Sequence, residues 1–535
     1  FVNWLKHEWK HNGGVSLGYR NTLLMQFCKK SGFVHIHNIN HWVDIEDPTA
    51  TVAACIESHK RFKADNFDDK LIILDEVISI IKTLLFSPTV KNRDEAITLF
   101  IEAIKRAKLI VALDGNLSDI YCNFLSQCDP DKQLVKIENT YQGNKPELVL
   151  LEGTIKDENL RKRDNSPWLY ELLNNPDMVP CVASDSQKLL ESLDEIYIEQ
   201  GLIGLRIDSK TVNSKEVQEF LEDPEKWIKE NSPDYVLFSP SCESGLDVPI
   251  TNYFTHFFGL FFGQIDADAI TQMIMRVRDV DLTRYLWVIP YIQVDEPDAI
   301  KSPLLATLQY HQKQRLHTDL HLGLSGEINQ GALKEELLTY LEQAENSPSH
   351  KISQRIEAMT YYEKINLRDC VYWMLEQQGY DTSQRVAPHL DANFQLSKKQ
   401  IASKKTEVKK RESREIFEAS DKYIGQPYTL LNWNASWSER CALIKAKIIA
   451  QIPGIHHSPL WSENFIYQIR YQHRNLLTQL EDRYLLDNLD KCKLQSKRIY
   501  HQQLVKGRQG KKLTPWKLTP RYSRLKALYD VGIHD

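Results

Sequence analysis

The chain has 535 residues, of which 42% are hydrophobic and 26% charged, with a net charge of −5. This is the balance of a globular protein of about three domains, and it excludes a polycation, so nucleic-acid binding would have to come from local patches. Nine cysteines without C-x-x-C or zinc spacing read as buried thiols of a reducing cytosol, and no apolar run is long and continuous enough to span a bilayer, so a cytoplasmic location is expected. Phe1 opens the sequence in mid-element, which predicts a piece of a longer protein.

In residues 1–125 short β-like runs alternate with amphipathic helices. A strand at Val15–Leu17 leads through Gly18-Tyr19-Arg20-Asn21-Thr22 into a helix. Arg20 and Asn21, with the backbone amides of a helix start, would suit a nucleic-acid phosphate, although an exposed helix start explains them equally. Ser58-His59 occupies a similar position. Leu71–Leu74 and Leu109–Leu113 are near-continuous apolar runs, as strands buried on both faces of a parallel sheet require. Between them Ala96, Ile97, Phe100, Ile101 and Ile104 share one face of a helix over Asp94–Lys108, which makes a β-α-β unit.

Asp75-Glu76 ends the first of these runs. Ligands of parallel sheets sit beyond the carboxyl ends of strands, so Asp75 could hold Mg²⁺ and Glu76 could orient an attacking water. Acidic residues are also favoured at helix starts without any catalytic role. Leu113-Asp114-Gly115-Asn116 after the next strand either couples nucleotide state to a second domain or is a plain turn. Residues 131–175, polar and rich in breakers, read as a connector.

A second β/α series follows, with strands at Pro180–Ala183, Leu202–Ile207, Tyr235–Phe238 and Leu286–Ile289, and helices at Ser186–Gln200 and Glu216–Asn231. Ser184 and Ser186 stand in a strand-to-helix turn like that of Arg20. The loop Ser239-Pro-Ser241-Cys-Glu-Ser244-Gly245-Leu-Asp247 combines a glycine that permits close backbone approach with an acid able to touch ribose or a metal shell. Gln272 and Arg276 are one helical turn apart, and Arg278 reaches the same ligand only if the helix ends or bends there. An arginine so placed can stabilise a γ-phosphate, and a solvated basic face with a salt bridge to Asp279 is the alternative.

After Pro290 the pattern is helical. Lys398–Arg414 holds eight basic residues, and Lys491–Lys526 holds twelve Lys/Arg without an acid. Lys511, Lys512 and Trp516 in the latter are candidates for nucleic-acid contact, and docking on acidic patches of the protein is the other explanation. Taken in order, the pieces read as a nucleic-acid-dependent ATPase.

Leu-Asp75-Glu76-Val, Leu-Asp114-Gly-Asn-Leu-Ser, Ser239-Pro-Ser-Cys-Glu-Ser-Gly245-Leu-Asp247-Val and Gln272-Met-Ile-Met-Arg276-Val-Arg278-Asp resemble the motifs of superfamily-two helicases. The nearest branch is the herpesvirus origin-binding helicases and the related helicases of cyanobacterial plasmid replication proteins, over about residues 15–290. The resemblance implies an α/β fold of two RecA-like parallel-sheet domains followed by a mainly helical C-terminal extension, at 1–172, 173–300 and 301–535. It implies ATP and Mg²⁺ as the cofactors, single-stranded or partly duplex DNA and replication proteins as partners, and a helicase or translocase that initiates replication of a plasmid, phage or similar element. Asp75, Glu76, Arg276 and Arg278 would be catalytic, with Asp75 on the metal. Gln272, Gly245 and Asp247 would meet ATP, and Arg20, Asn21, Ser58, Ser184, Ser186 and Ser241 would meet DNA. Two departures stand out: Met275 replaces the usual glycine before Arg276, and Arg278 stands two residues after Arg276 where the family has its last arginine three after. The sequence holds no G-x-x-x-x-G-K-S/T loop, which in the family precedes the Gly18-Tyr-Arg20 element and is expected upstream of Phe1. The alternatives are a non-hydrolysing DNA-binding or scaffold protein on a degenerate helicase fold, or a helical tail that is itself the binding module.

Overall fold

The apolar runs become strands of two parallel sheets in the computed structural model, which describes residues 13–39, 43–139, 141, 143–151, 169–242, 246–292, 302–386, 392–429, 431, 435–510 and 521–532. The first sheet contains β1 (Gly14–Gly18), β2 (Val34–His35), β3 (Thr51–Cys55), β4 (Leu71–Asp75) and β5 (Leu109–Leu113), in the order β2-β3-β1-β4-β5. All of its pairings are parallel. Alternation explains why β4 is apolar throughout. Ile72 and Leu74 face a core built with Val77, Ile81, Leu84 and Phe100, whereas Leu71 and Ile73 face Leu24 and Phe33 on the other side. Each of the four is fully buried, which is worth about 1.5–3 kcal/mol per side chain. Helices α1 (Asn21–Ser31), α2 (Val77–Phe86) and α3 (Arg93–Arg106) belong with this sheet. The chain passes from β1 to β2 and β3 on one side and to β4 and β5 on the other. The topological reversal therefore lies beside β1 and β4, where open α/β sheets place their ligands.

The second sheet has seven parallel strands: β6 (Leu148–Leu151), β7 (Pro180–Ser184), β8 (Gly204–Ile207), β9 (Tyr235–Phe238), β10 (His256–Phe261), β11 (Arg284–Val288) and β12 (Arg385–Val386). Their order is β12-β6-β11-β10-β7-β9-β8. Three features differ from the sequence reading. The supposed connector contributes β6, four fully apolar residues that pair with β11. Central strand β10 was not expected at all. The single helix expected over 216–231 is two, because Asp223 caps a new helix at Lys226 N (3.1 Å) and Pro224 occupies its first turn. Helices α4 (Gln187–Glu199), α5 (Ala267–Ile274) and α6 (Ala392–Glu418) complete the elements used below.

Contacts divide the chain into two units. One comprises Phe1–Asn139, Glu296–Tyr362 and Glu481–Asp535, and the other Thr140–Asp295 and Glu363–Leu480. The mainly helical region after residue 300 is thus shared between them. In the first unit Leu316, Leu320, Leu337, Leu341, Tyr500 and Leu504 form a helical core, and in the second Ile416, Cys441, Ile448 and Ile466 form another. Among the described residues no helix is long and apolar enough to cross a membrane.

Candidate functional site

The carboxyl edge of the first sheet gathers six residues that the sequence singled out. Because β1, β3, β4 and β5 are parallel neighbours, Arg20-Asn21, Ser58, Asp75-Glu76 and Asp114 all follow the same edge. Gly18 makes the first turn tight, since a Cβ there would meet Leu24 Cδ2 at 2.9 Å. The Arg20 guanidinium lies over the Tyr19 ring at 5.2 Å, and Asn21 Oδ1 accepts from Cys55 Sγ at 3.2 Å, tying α1 to the end of β3. Asp75 is opposite Leu113 in the ladder, so Asp114 stands beside it. Asp114 uses both carboxylate oxygens: Oδ2 accepts from Ile78 N (3.0 Å), capping α2, and Oδ1 accepts from Asn116 N (3.1 Å). It is therefore turn and cap chemistry supplied from the adjacent strand. Burial, and then the Asp114 charge, raise the Asp75 carboxyl above the usual range, and burial also raises Asp114. Glu76 holds φ at 60°, in the left-handed region. For a glutamate this conformation costs about 1–2 kcal/mol, and the tight β4–α2 turn imposes it.

In the second unit α5 ends at Ile274, so Arg276 and Arg278 lie beyond it and do not share a helical face with Gln272. Gln272 Nε2 bonds back to Asp268 Oδ2 at 3.3 Å. The outgoing chain forms a parallel bridge, Val248 to Val277, with Val248 N to Arg276 O at 2.8 Å and Arg278 N to Val248 O at 2.9 Å. This places Asp247 beside Arg278, with Nε to Oδ1 at 2.7 Å. Both side chains are exposed, so the pair contributes at most about 1 kcal/mol and yields easily to a phosphate. The alternative salt bridge to Asp279 is not formed among the described residues. Asp279 is buried and accepts from Asn252 N (2.7 Å) and Asp281 N (3.0 Å). Arg276 is half-buried, and its Nε has no hydrogen-bond partner among the described residues. Gly245 and Ser244 lie outside the described residues.

Sequence reasoning missed Arg284. This arginine opens β11, is 2% exposed, and donates from Nη1 to Ile274 O (2.6 Å) and from Nη2 to Val277 O (2.6 Å) and Asp279 O (3.3 Å). It binds the carbonyls on both sides of Arg276 and Arg278 and so fixes the loop that presents them. Its only local signal is a charge at the head of the apolar run Tyr285–Val288.

Of the residues expected on DNA, Ser241 is exposed and Ser58 is half-exposed. Ser184 is not available: its hydroxyl is fully buried and donates to Leu260 O at 2.6 Å. Ser186 caps α4 through Leu189 N (3.4 Å). Lys511, Lys512 and Trp516 lie outside the described residues. Other charges of the basic tail are used within the first unit. Lys497 pairs with Glu327 (2.9 Å), Arg508 with both oxygens of Glu336 (2.7 and 2.8 Å), and Arg524 with Asp482 (2.7 Å).

Residues 17–145 match a family model described as origin of replication binding protein. A search of curated proteins finds no match. Among solved structures, Saccharomyces cerevisiae Dbp5 bound to RNA and ADP BeF3 is 11% identical over 52% of this chain and 72% of its own, with a TM-score of 0.33. Mycobacterium smegmatis helicase Lhr bound to ssDNA and AMP-PNP is 13% identical over 51% of this chain and 40% of its own, with a TM-score of 0.33. Residues 17–145, the stretch that carries Arg20, Asn21, Ser58, Asp75, Glu76 and Asp114, are similar to origin-of-replication-binding proteins.

Proposed function

We propose that this chain is the motor of a DNA helicase or translocase that hydrolyses ATP during replication initiation of a plasmid, phage or similar element. The observation that carries the reading is the alignment of Arg20-Asn21, Ser58, Asp75-Glu76 and Asp114 on one carboxyl edge, beside the topological reversal. The donors there fit Mg²⁺. Asp75 and Asp114 are neighbouring acids whose charged forms are disfavoured by burial and, for Asp75, by the other's charge, so a cation relieves both effects. The described residues hold no cluster of three or more His, Cys, Asp or Glu that could form a closed cage. An open carboxylate site suits Mg²⁺, which keeps waters and takes ligands from phosphates. When bound, the ion would neutralise charge on the phosphates.

Asp75 would hold that ion and Glu76 would accept the proton of the attacking water. Arg276 and Arg278 would contact the γ-phosphate, where Arg278 exchanges its weak partner Asp247 for a stronger one. Gln272, Gly245 and Asp247 would sense the nucleotide. Arg20, Asn21, Ser58 and Ser241 would meet the DNA backbone, and Ser184 drops out of that set because its hydroxyl is spent on Leu260. The test is ATP hydrolysis by the full-length gene product with and without single-stranded DNA. DNA should accelerate turnover, and Glu76→Gln should lower it on the order of 10²-fold or more while ATP binding persists. DNA binding with no hydrolysis in the wild type would instead favour the non-hydrolysing reading.

A further inference from the structure

The basic run on α6 divides into two classes. Lys404 bonds Glu199 (2.6 Å) and Glu407 (2.9 Å), Arg411 pairs with Glu195, and Arg414 reaches Glu463 (3.1 Å). These pairs dock α6 within the second unit, to α4 among others. Lys405 and Lys409 behave differently. They are one helical turn apart and share a face. Neither ammonium has a carboxylate or hydrogen-bond partner among the described residues. Each lies instead over an aromatic ring, Lys405 over Phe262 at 5.4 Å and Lys409 over Tyr471 at 5.6 Å.

Their neighbours make the arrangement costly for an empty surface. Lys409 faces two further cations, Arg474, which is exposed, and Lys188, which follows the Ser184–Ser186 turn. Burial, and then the charge of Lys409, bring Lys405 down to about 8, and burial followed by Arg474 and Lys188 lowers Lys409. The geometry is nevertheless fixed. Glu412, one turn further along α6 and 4% exposed, accepts from Lys188, Tyr471, Lys210 (3.1 Å) and Arg470 (3.0 Å). A π-helical turn, Gln468–Gln472, delivers Arg470 and Tyr471 to that carboxylate, which holds the Tyr471 ring under Lys409. Burial opposes the Glu412 charge, but Lys188, Tyr471 and Lys210 outweigh it and hold the acid down to about 2, so this carboxylate is saturated by its own partners.

Phe262 directly follows β10 and Lys188 follows β7, so the cations border the carboxyl edge of the second sheet. Three like charges held together without an acid call for a polyanion. Lysines one turn apart have Cβ atoms about 5–6 Å from each other, so their flexible ammoniums can reach neighbouring phosphates of one strand. We propose that Lys405, Lys409 and Arg474 form a phosphodiester-binding patch that takes the backbone of a single nucleic-acid strand at the carboxyl edge of the second sheet. The identity of the ligand rests on the nucleic-acid-dependent motor proposed above.

The experiment is a fluorescence-anisotropy titration of the full-length protein with oligothymidylate and oligouridylate, without nucleotide, at several salt concentrations. Each lost single-strand contact should lower the slope of log affinity against log salt by about 0.7, so Lys405→Gln/Lys409→Gln should lower it by about 1.4, equally on both oligonucleotides. Lys405→Arg/Lys409→Arg should keep the wild-type slope. Lys404→Gln, which breaks only the internal ion pairs with Glu199 and Glu407, should leave it unchanged. Inorganic phosphate at matched ionic strength should compete no better than chloride, whereas strong competition would make the site one for free phosphate and overturn the proposal. It is also overturned if the wild type fails to bind either strand, if the Gln double variant binds like wild type, or if Lys404→Gln has the same effect. A wild-type slope in the double variant alongside intact DNA-stimulated hydrolysis removes the patch alone. A reduced slope with hydrolysis that ignores Glu76→Gln removes the motor reading alone.

Discussion

Arg284→Met tests whether a buried arginine sets up the exposed ones. The substitution keeps the stem volume and removes the guanidinium that bonds Ile274 O and Val277 O, both at 2.6 Å, and Asp279 O at 3.3 Å. Two short charge-assisted bonds are worth about 1.5–3 kcal/mol each, and both carbonyls would be left buried, a gross loss of about 3–6 kcal/mol. Arg284 has no carboxylate partner among its hydrogen bonds, and burial lowers its basicity, so removing a desolvated charge returns part of this. The net loss should be about 2–4 kcal/mol in urea unfolding. Lysine, with a single point charge, cannot span carbonyls on both sides of the loop, so Arg284→Lys should restore only part of it. ATP turnover should fall in both variants, as strongly as in Arg276→Ala, although Arg284 touches no nucleotide in this scheme. ATP affinity should change less than turnover, because a loosened arginine loop costs mainly transition-state contacts. Unchanged stability together with unchanged turnover in Arg284→Met would refute this account of the loop.

Glu76→Gly should abolish hydrolysis yet raise stability by about 1 kcal/mol, because glycine relieves the left-handed backbone at 60°; a destabilised variant in thermal melts would show that the turn is not strained. Asp114→Asn should draw the Asp75 carboxyl down toward its usual range by removing the like charge, and so move the acid limb of the pH–rate profile to lower pH. The linkage has a definite sign. A carboxyl raised in the folded state binds its proton more readily there, so its contribution to stability is lost as pH rises from the ordinary aspartate value near 3.9 through the raised one, and Asp114→Asn should flatten that decline in pH-dependent unfolding. Gly323→Ala should destabilise the first unit by about 1–3 kcal/mol, since a Cβ there would meet Tyr500 Cε2 at 2.1 Å; an unchanged melting curve would contradict the packing. Lys497→Gln with Arg508→Gln should leave the salt slope of DNA binding unaltered, because both charges are already paired.

How much was legible depended on whether the deciding partner was local. Strand β4 was readable because burial on both faces demands an unbroken apolar run, and Leu71–Leu74 supplies one; β5, expected to be buried likewise, is instead an outermost strand, with Leu109 and Leu113 exposed. Strand β10 was not readable, because Phe257–Phe261 lacks alternation and carries Gly259 in its middle, and a short apolar run of that kind fits a helix as well. Strand β6 was hidden because four apolar residues inside a polar stretch carry little weight until β11 is beside them. The cap that Asp114 gives to α2 spans 36 positions and leaves no local trace. The basic runs were visible as charge, but the acids that neutralise much of it, Glu195, Glu199, Glu327 and Glu336, lie far away in the sequence.

What a charged residue does at the edge of a parallel sheet is decided by how much of its bonding capacity the chain itself consumes. Asp185 shows one limit: its oxygens accept from Phe262 N at 2.7 Å and Gln264 N at 2.6 Å, so it folds the β10–α5 loop and has little to offer a ligand. Asp279 and Arg284 are of the same kind, and Ser184, the last residue of β7, joins them once Leu260 O is counted. Arg276 Nε, Lys405 and Lys409 show the other limit. Each is half-buried, with its stem packed and its charge unmatched among the described residues. Burial without a partner costs stability, and a ligand that supplies the missing partner offsets that cost. Asp75 combines both conditions, since burial and a neighbouring acid each oppose its charge. The unsatisfied set, rather than the conspicuous runs of like charge, is therefore where ligand-dependent stabilisation should appear. Adding Mg²⁺ with nucleotide should raise the melting temperature through Asp75 and Arg276, and adding an oligonucleotide alone should raise it through Lys405 and Lys409. In Lys405→Gln/Lys409→Gln the second increment should vanish while the first persists. Loss of both increments together would mean that these lysines support the fold of the second unit rather than a ligand.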